Sequence, residues 1–221
     1  VLGRKFMVES LVNRYSYNFR WLGRPIIQHP QDIAIIQELI WEVKPDLVIE
    51  TGIAHGGSII LSASILEMIG GRGKVLGIDI DIRKHNRKEI EKHRMFKLGR
   101  IIMIEGSSID ANVIEKVRRI ASRAKKVLIF LDSNHNHDHV LRELELYSPL
   151  VSKGSYVVVF DTIAYYLPKG SIKNRPWDER LNPKTALDVF LPKHKNFRID
   201  KEIENKLILT AAPGGFLRRI R

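Results

Sequence analysis

Residues 46-DLVIETGIAHGGS-58 pass from an unbroken apolar run into a turn rich in glycine. The run 46-DLVIE-50 has no polar residue between Asp46 and Glu50, the pattern of a strand covered on both faces. Gly52, Gly56 and Gly57 then permit a tight turn and the close approach of a ligand to backbone. Four runs of the same kind follow: 74-KVLGID-79, 101-IIMIE-105, 126-KVLIFL-131 and 155-SYVVVF-160. Helical patterns stand between them. In 31-QDIAIIQELIWEV-43, Ile33, Ile36, Ile40 and Val43 share one stripe. Segments 56–69, 82–97 and 110–123 follow, the last behind Asp110 as a cap. In 137–151, Val140, Leu144, Tyr147 and Val151 recur at helical spacing. This β-α alternation implies an α/β fold with a doubly wound sheet.

The two ends read differently. Residues 1–30, with Trp21, Pro25 and Pro30, read as an N-terminal appendage to a domain spanning 31–221. About 162–185, rich in Pro, Asn, Gly and aromatics, reads as a long loop of the kind that covers a functional site. A short helix near 184–191 and two closing strands within 196–204 and 206–220, paired as a hairpin, complete the expected order.

Composition narrows the classes. A chain of 221 residues suits one domain. The lack of cysteine excludes disulfides, thiolate zinc sites and cysteine nucleophiles. No apolar run approaches the roughly 18–20 residues that span a bilayer, so no membrane partner is expected. The start, VLGRKFMVES, has no signal-peptide pattern; with the absence of cysteine it makes the cytoplasm the expected compartment. The net charge of +12 is the main oddity. Basic residues gather in 83–100, 116–126 and the final LRRIR. A solvated basic surface is the stronger reading, and nucleic-acid binding the weaker.

In an open α/β sheet, ligands bind beyond the carboxyl ends of the strands. Glu50 at the first tip would repel a pyrophosphate and suits a ligand bearing an ammonium or sulfonium. Asp79, 27 residues beyond Gly52, is placed to accept hydrogen bonds from a ribose, with Asp81 the weaker competitor. Ser107 and Ser108 of 105-EGSS-108 would contact a base edge or cap the next helix. Together these describe an adenosine cofactor without phosphate, S-adenosylmethionine rather than NAD. Asp132 and Asp161 end the fourth and fifth runs. Two carboxylates on neighbouring tips suit Mg²⁺, which lowers the pKa of a bound hydroxyl. His135 lies three residues past Asp132 and is the candidate base. Tyr165, Tyr166 and Trp177, on the long loop, are candidates to cover an acceptor.

The stretch 131-LDSNHNHDHV-140 also nearly spells the zinc-hydrolase pattern H-x-H-x-D-H, but its spacing misses by one residue and only His194 follows His139. His137 and His139 therefore read as the opening turn of a helix, with Asn136 or Asp138 serving its N-terminus. An iron-dependent hydroxylase would need a two-His-one-carboxylate triad, which is not apparent.

With these residues assembled, the chain resembles the cephalosporin hydroxylase-like family of class I methyltransferases. The resemblance runs from about Trp21 to Leu217, carried by 21-WLGRPIIQHPQD-32, 47-LVIETGIAHGGS-58, LDSNHNHDHV, 156-YVVVFDT-162, 176-PW-177, 182-NPKTA-186 and 214-GGFL-217. It implies a Rossmann-like methyltransferase fold, with a mostly parallel seven-stranded sheet and an antiparallel last strand. It implies an S-adenosylmethionine site at Glu50, Gly52 and Asp79; Thr51, His55, Ser58, Ser107, Ser108 and Asp132 complete the expected cofactor set. Related enzymes methylate hydroxyls of sugars or secondary metabolites, often with Mg²⁺ on acids that match Asp132 and Asp161. Many carry another acid or amide beside the second of these; here Phe160 and Thr162 flank Asp161. The implied reaction has the metal and His135 deprotonate a hydroxyl, with Asp132 at the reacting centre. The alternatives are a methyltransferase modifying RNA or DNA and a non-catalytic adenosine-ligand binder. A homo-oligomer is compatible with the sequence.

Overall fold

Each of the five apolar runs becomes a strand of one sheet. The computed structural model describes residues 2–169, 178 and 180–221, so Trp177 lies outside the described residues. Helix α1 (Leu2–Val12) and a 3-10 turn (Tyr15–Asn18) lead into an antiparallel hairpin, β1 (Phe19–Trp21) and β2 (Arg24–Ile26). The alternating part follows: α2 (Pro30–Val43), β3 (Leu47–Thr51), α3 (Gly57–Ile69), β4 (Lys74–Asp79), α4 (Lys84–Lys92), α5 (Arg94–Lys97), β5 (Ile101–Glu105), α6 (Ala111–Ala121), β6 (Val127–Leu131), α7 (His137–Tyr147) and β7 (Tyr156–Val159). A 3-10 turn (Thr162–Tyr166), α8 (Pro183–Lys193), β8 (Phe197–Ile199), α9 (Lys201–Lys206) and β9 (Phe216–Arg219) close the chain.

Among the described residues the main sheet has seven strands in the order β5-β4-β3-β6-β7-β9-β8. Strands β3 to β7 are parallel, and β9 runs antiparallel to β7 and β8. Side chains alternate between its faces, as a pleated strand requires. Val48, Leu128 and Val158 join a core with Ile36 and Ile40 of α2 and Ile60 of α3. Leu47, Ile49, Ile129 and Val157 join the other, with Val117 of α6, Leu144 of α7 and Phe190 of α8. Each such side chain, taken out of water, stabilises the fold by about 1.5–3 kcal/mol. The chain crosses over between β3 and β6, so a crevice opens there at the strand tips.

Three expectations about elements needed revision. The helix expected over 82–97 is two pieces, because His93 is extended (ψ 144°) and its Nδ1 accepts from the Met95 amide, capping α5. The closing strands do pair antiparallel, but they are three and four residues long. Between them Asp200 caps the extra helix α9, so the pair is no tight hairpin. The long loop begins with a 3-10 turn, Thr162–Tyr166.

The first 30 residues lie against the domain. Ile26 is in the core, and the Trp21 indole donates to Ser64 on α3 at 3.0 Å. The β1-β2 hairpin crosses the start of α3 so closely that a Cβ on Gly57 would lie 2.3 Å from the Pro25 carbonyl oxygen. Met7 of α1 packs with Ile163 and Ala211. Among the described residues no helix is long and apolar enough to cross a membrane.

Candidate active site

Two confluent cavities occupy the crevice. The larger, about 490 Å³, is walled by the start of the chain (Leu11, Val12, Tyr17, Gln28, His29), the glycine turn (His55, Gly57, Ser58) and the segment around Asp161. The smaller, about 360 Å³, is walled by Asp79, Ile80, Ser107, Ser108, Asn134 and His139. Gly52, Ala54, Asp132, Ser133 and His135 border both.

Backbone packing sets the junction. Gly52 has φ +92°, and a Cβ there would fall 2.1 Å from the Asp132 carbonyl oxygen. The Asp132 amide donates to the Thr51 carbonyl at 3.0 Å. The glycine thus serves close approach of β3 and β6 as well as of a ligand. Thr51 is fully buried beneath this junction and borders neither cavity. Its expected place at the cofactor becomes a supporting one, with its hydroxyl 3.4 Å from the Asp132 amide. Glu50 is also buried and borders neither cavity; it reaches the larger one through Ser58, from which it accepts a hydrogen bond. Burial pushes its carboxyl up to about 8, against the Ser58 hydrogen bond. His55 and Ser58 face the larger cavity.

Asp79 lines the smaller cavity while organising the glycine turn. Its Oδ2 accepts from the amides of Ile53 (2.8 Å) and Ala54 (3.0 Å), and its Oδ1 from Asp81 at 3.2 Å. A carboxylate has about four acceptor positions, so with three amides bound about one hydroxyl donor can still be accommodated. Asp81 is exposed and borders neither cavity. Ser107 and Ser108 reach the same cavity. Neither caps α6, whose first amides are held by Asp110.

At the junction, His135 lies between two carboxylates. Its Nδ1 is 2.9 Å from Asp161 Oδ2 and its Nε2 3.6 Å from Asp132 Oδ1. One ligand atom from each of the three residues falls within 4.8 Å of the others. Gln28 donates to the second oxygen of Asp132 at 2.9 Å. Burial raises the Asp132 carboxyl to about 6, although His135 opposes the shift. Burial disfavours the His135 imidazolium, but Asp161 and Asp132 together outweigh it and lift the ring to about 10. Asp161 itself sits in the left-handed region at φ 55°, a conformation Asp tolerates better than most residues. Behind His29 lies Asp32, fully buried and accepting from Thr210 Oγ1 (2.5 Å) and the Ala211 amide (2.8 Å). Burial raises it to about 7, with Asp161 and Asp132 adding to the effect. Although the whole chain is basic, this crevice is acidic and favours cationic ligands.

Oxygen and nitrogen donors so arranged fit a divalent cation, with Asp132 and Asp161 supplying the hard oxygens. The expected substrate-covering tyrosines point elsewhere. Tyr165 is 46% exposed, with Lys184 Nζ 5.7 Å from its ring centroid. Tyr166 packs edge-on against Tyr165 and near Met7 and Ile163. The 3-10 turn directs Ile163, Ala164 and Leu167 to the cavity instead. Trp177 is outside the described residues. Asn136 caps α7, and His137 Nδ1 is 2.8 Å from Thr185 Oγ1. His139 does fall in the opening turn, yet it also walls the smaller cavity, with Nε2 3.1 Å from Ser108 Oγ and 3.5 Å from buried Glu143. Gln28, His29 and Ser133 are further wall residues that spacing alone did not single out. The signals for the first two are a polar pair amid the apolar 26-IIQHP-30 and their place in the stretch 21–32 that carries the family resemblance.

Comparison with known proteins places the chain as a whole. The family model described as Rhamnosyl O-methyltransferase/CmcI matches residues 13–220. A rhamnosyl O-methyltransferase of Mycobacterium tuberculosis (strain ATCC 25618 / H37Rv) is 34% identical over 187 residues, covering 83% of this chain and 71% of that protein. One from Mycobacterium leprae (strain TN) is 30% identical over 203 residues, covering 90% and 82%. Among solved structures, CmcI without ligand superposes with a TM-score of 0.68 at 19% identity, over 93% of this chain and 77% of that one. CmcI with Mg and S-adenosylmethionine gives 0.64 at 18%, over 93% and 78%. These last two speak to the fold. The sheet order and the match over nearly the whole chain converge: the protein belongs to the rhamnosyl O-methyltransferase/CmcI family, the cephalosporin hydroxylase-like methyltransferases.

Proposed function

We propose that the chain transfers the methyl group of S-adenosylmethionine to a hydroxyl of a sugar or other small molecule, assisted by Mg²⁺. The observation that carries this reading is the junction itself: Asp132 and His135 border both cavities, so a donor in one and an acceptor in the other would meet there. The adenosine would lie in the smaller cavity, with Asp79 on the ribose and Ser107 and Ser108 near the base. The amino-acid end would pass over Gly52 toward His55 and Ser58, with the Glu50 carboxyl behind Ser58 placed to give up its proton as the ammonium arrives. Asp132 and Asp161 would hold the cation. A bound Mg²⁺ supplies Lewis acidity that lowers the pKa of a neighbouring hydroxyl. The hydroxyl proton passes to the Asp132–His135–Asp161 cluster. The acceptor oxygen then bonds to the methyl carbon as the sulfur–methyl bond breaks and its electrons remain on sulfur. Holding both partners in line accounts for most of the rate gain.

The relatives named for rhamnosyl transfer make a rhamnosyl hydroxyl the first acceptor to assay. Calorimetric titration with S-adenosylmethionine and its demethylated product tests the cofactor site. Mass spectrometry of a panel of glycosides, with and without chelator, tests transfer. Failure to bind either form of the cofactor would sink the proposal.

A further inference from the structure

Two carboxylates, Asp132 and Asp161, face the candidate cation site. Phe160, preceding Asp161, is buried in the core and meets the Phe130 ring at 6.2 Å. Thr162, following it, is buried and donates its hydroxyl to the Pro213 carbonyl at 2.8 Å. Neither neighbour of Asp161 brings a second carboxylate to the crevice. What stands there instead is an imidazole. His135 is placed between Asp132 and Asp161, and one ligand atom from each of the three falls within 4.8 Å of the rest. Its loop is fixed from both sides: Asn134 accepts from the Asn136 amide at 3.0 Å, and Asn136 caps α7. Gln28 anchors one oxygen of Asp132, and the other is the one nearer His135.

Resting on the methyltransferase reading above, we propose that His135 is the third protein ligand of the cation, giving a two-carboxylate, one-imidazole set that favours Mn²⁺, Fe²⁺ or Co²⁺ over Mg²⁺. Mg²⁺ takes oxygen ligands and keeps several waters, whereas imidazole suits first-row transition metals. On binding the cation the ring gives up the proton that the two carboxylates hold on it, and, bound through one nitrogen and turned to a carboxylate through the other, it has no lone pair for the hydroxyl proton. That proton then leaves through a carboxylate of the cluster or a water, and His135 positions the cation rather than acting as a free base.

The test is spectroscopic and does not depend on turnover. Mn²⁺ is added to the whole chain and its electron spin-echo modulation recorded. A coordinated ¹⁴N coupling that disappears in His135→Ala is expected. Calorimetric titrations of Co²⁺ and Mg²⁺ accompany it. His135→Ala should weaken Co²⁺ by about tenfold or more and Mg²⁺ by less than about threefold, so the preference collapses. His135→Asn, which restores a polar group, should recover Mg²⁺ but not the Co²⁺ preference. A wild-type spectrum without nitrogen coupling, equal losses for both metals, or no Mn²⁺ binding at all overturns the proposal. S-adenosylmethionine affinity, measured on the same samples, separates that failure from failure of the methyltransferase reading: intact cofactor binding rejects the histidine ligand alone.

Discussion

Replacing Gly52 with alanine asks how tightly the tips of β3 and β6 are joined. At φ +92° an L side chain costs about 1–2 kcal/mol. The new Cβ would lie 2.1 Å from the Asp132 carbonyl oxygen and 2.8 Å from its carbonyl carbon. Both are backbone atoms, so no rotamer change relieves the clash, and displacement of this over-packing kind costs about 1–3 kcal/mol. The sum, roughly 2–5 kcal/mol, is a large share of the 5–15 kcal/mol or so by which a domain is stable. With a urea slope of about 2 kcal/mol per molar, the unfolding midpoint should fall by about 1–2.5 M. Relief has to push Asp132 away from β3, so cofactor and metal titrations should weaken together. A midpoint within about 0.3 M of the parent, with cofactor binding intact, would refute the reasoning.

Three other outcomes follow from the crevice's electrostatics and walls. Glu50, raised to about 8 by burial, carries a proton at neutral pH before cofactor arrives. A cationic ligand beside it favours the carboxylate. Binding should therefore release up to about one proton at pH 7 and strengthen from about pH 6 to 8, as calorimetry in buffers of different protonation enthalpy would record; Glu50→Gln should abolish the release. Asp32, raised to about 7 by burial, binds its proton more tightly when folded than when unfolded. Its contribution to stability therefore falls as pH rises from about 4 to 7, by on the order of 4 kcal/mol at most. Urea unfolding across that range should show a slope that Asp32→Asn flattens. His139→Ala opens the wall of the smaller cavity and leaves the Asp132–His135–Asp161 cluster in place. S-adenosylmethionine should weaken by about tenfold, a loss of one to two hydrogen bonds, while Mg²⁺ affinity stays unchanged by titration.

The legible parts of this fold are those where burial forces a pattern. Strands such as Val127–Leu131 and Tyr156–Val159 are covered on both faces, so no polar residue interrupts them. Asp79, Asp132 and Asp161 could be read because a strand end locates a ligand site without knowledge of any loop. Contacts between distant segments were not legible. Gln28 meets Asp132 across 104 residues of sequence, and Asp32 meets Thr210 across 178. The break at His93 turns on one backbone torsion in a charged segment with little periodicity. Helix α9 did carry a signal, Asp200 before Lys201-Glu202, but the apolar residues on either side favoured strand. The tyrosines misled because an aromatic pair beside a site does not say which side of a 3-10 turn faces it. His139 is hard to read as a wall residue because its place in the first turn of a helix already accounts for it.

The walls of the two cavities come from different stretches of chain. Asp79, Ser107, Ser108 and His139 lie in the middle of the sequence, between the inner strands. The larger cavity borrows Leu11, Val12, Tyr17, Gln28 and His29 from one end and Ala211 from near the other. Divergence can therefore act on them separately. On the proposed reading, changes at Leu11, Val12 and Tyr17 would reshape the acceptor's half of the crevice, whereas Gln28, which holds Asp132, also bears on the half they share. Exchanging residues 11–17 between relatives, with Arg24, Pro25 and Gln28 kept, is thus a route to a new acceptor that spares the contacts to His55, Gly57 and Asp132.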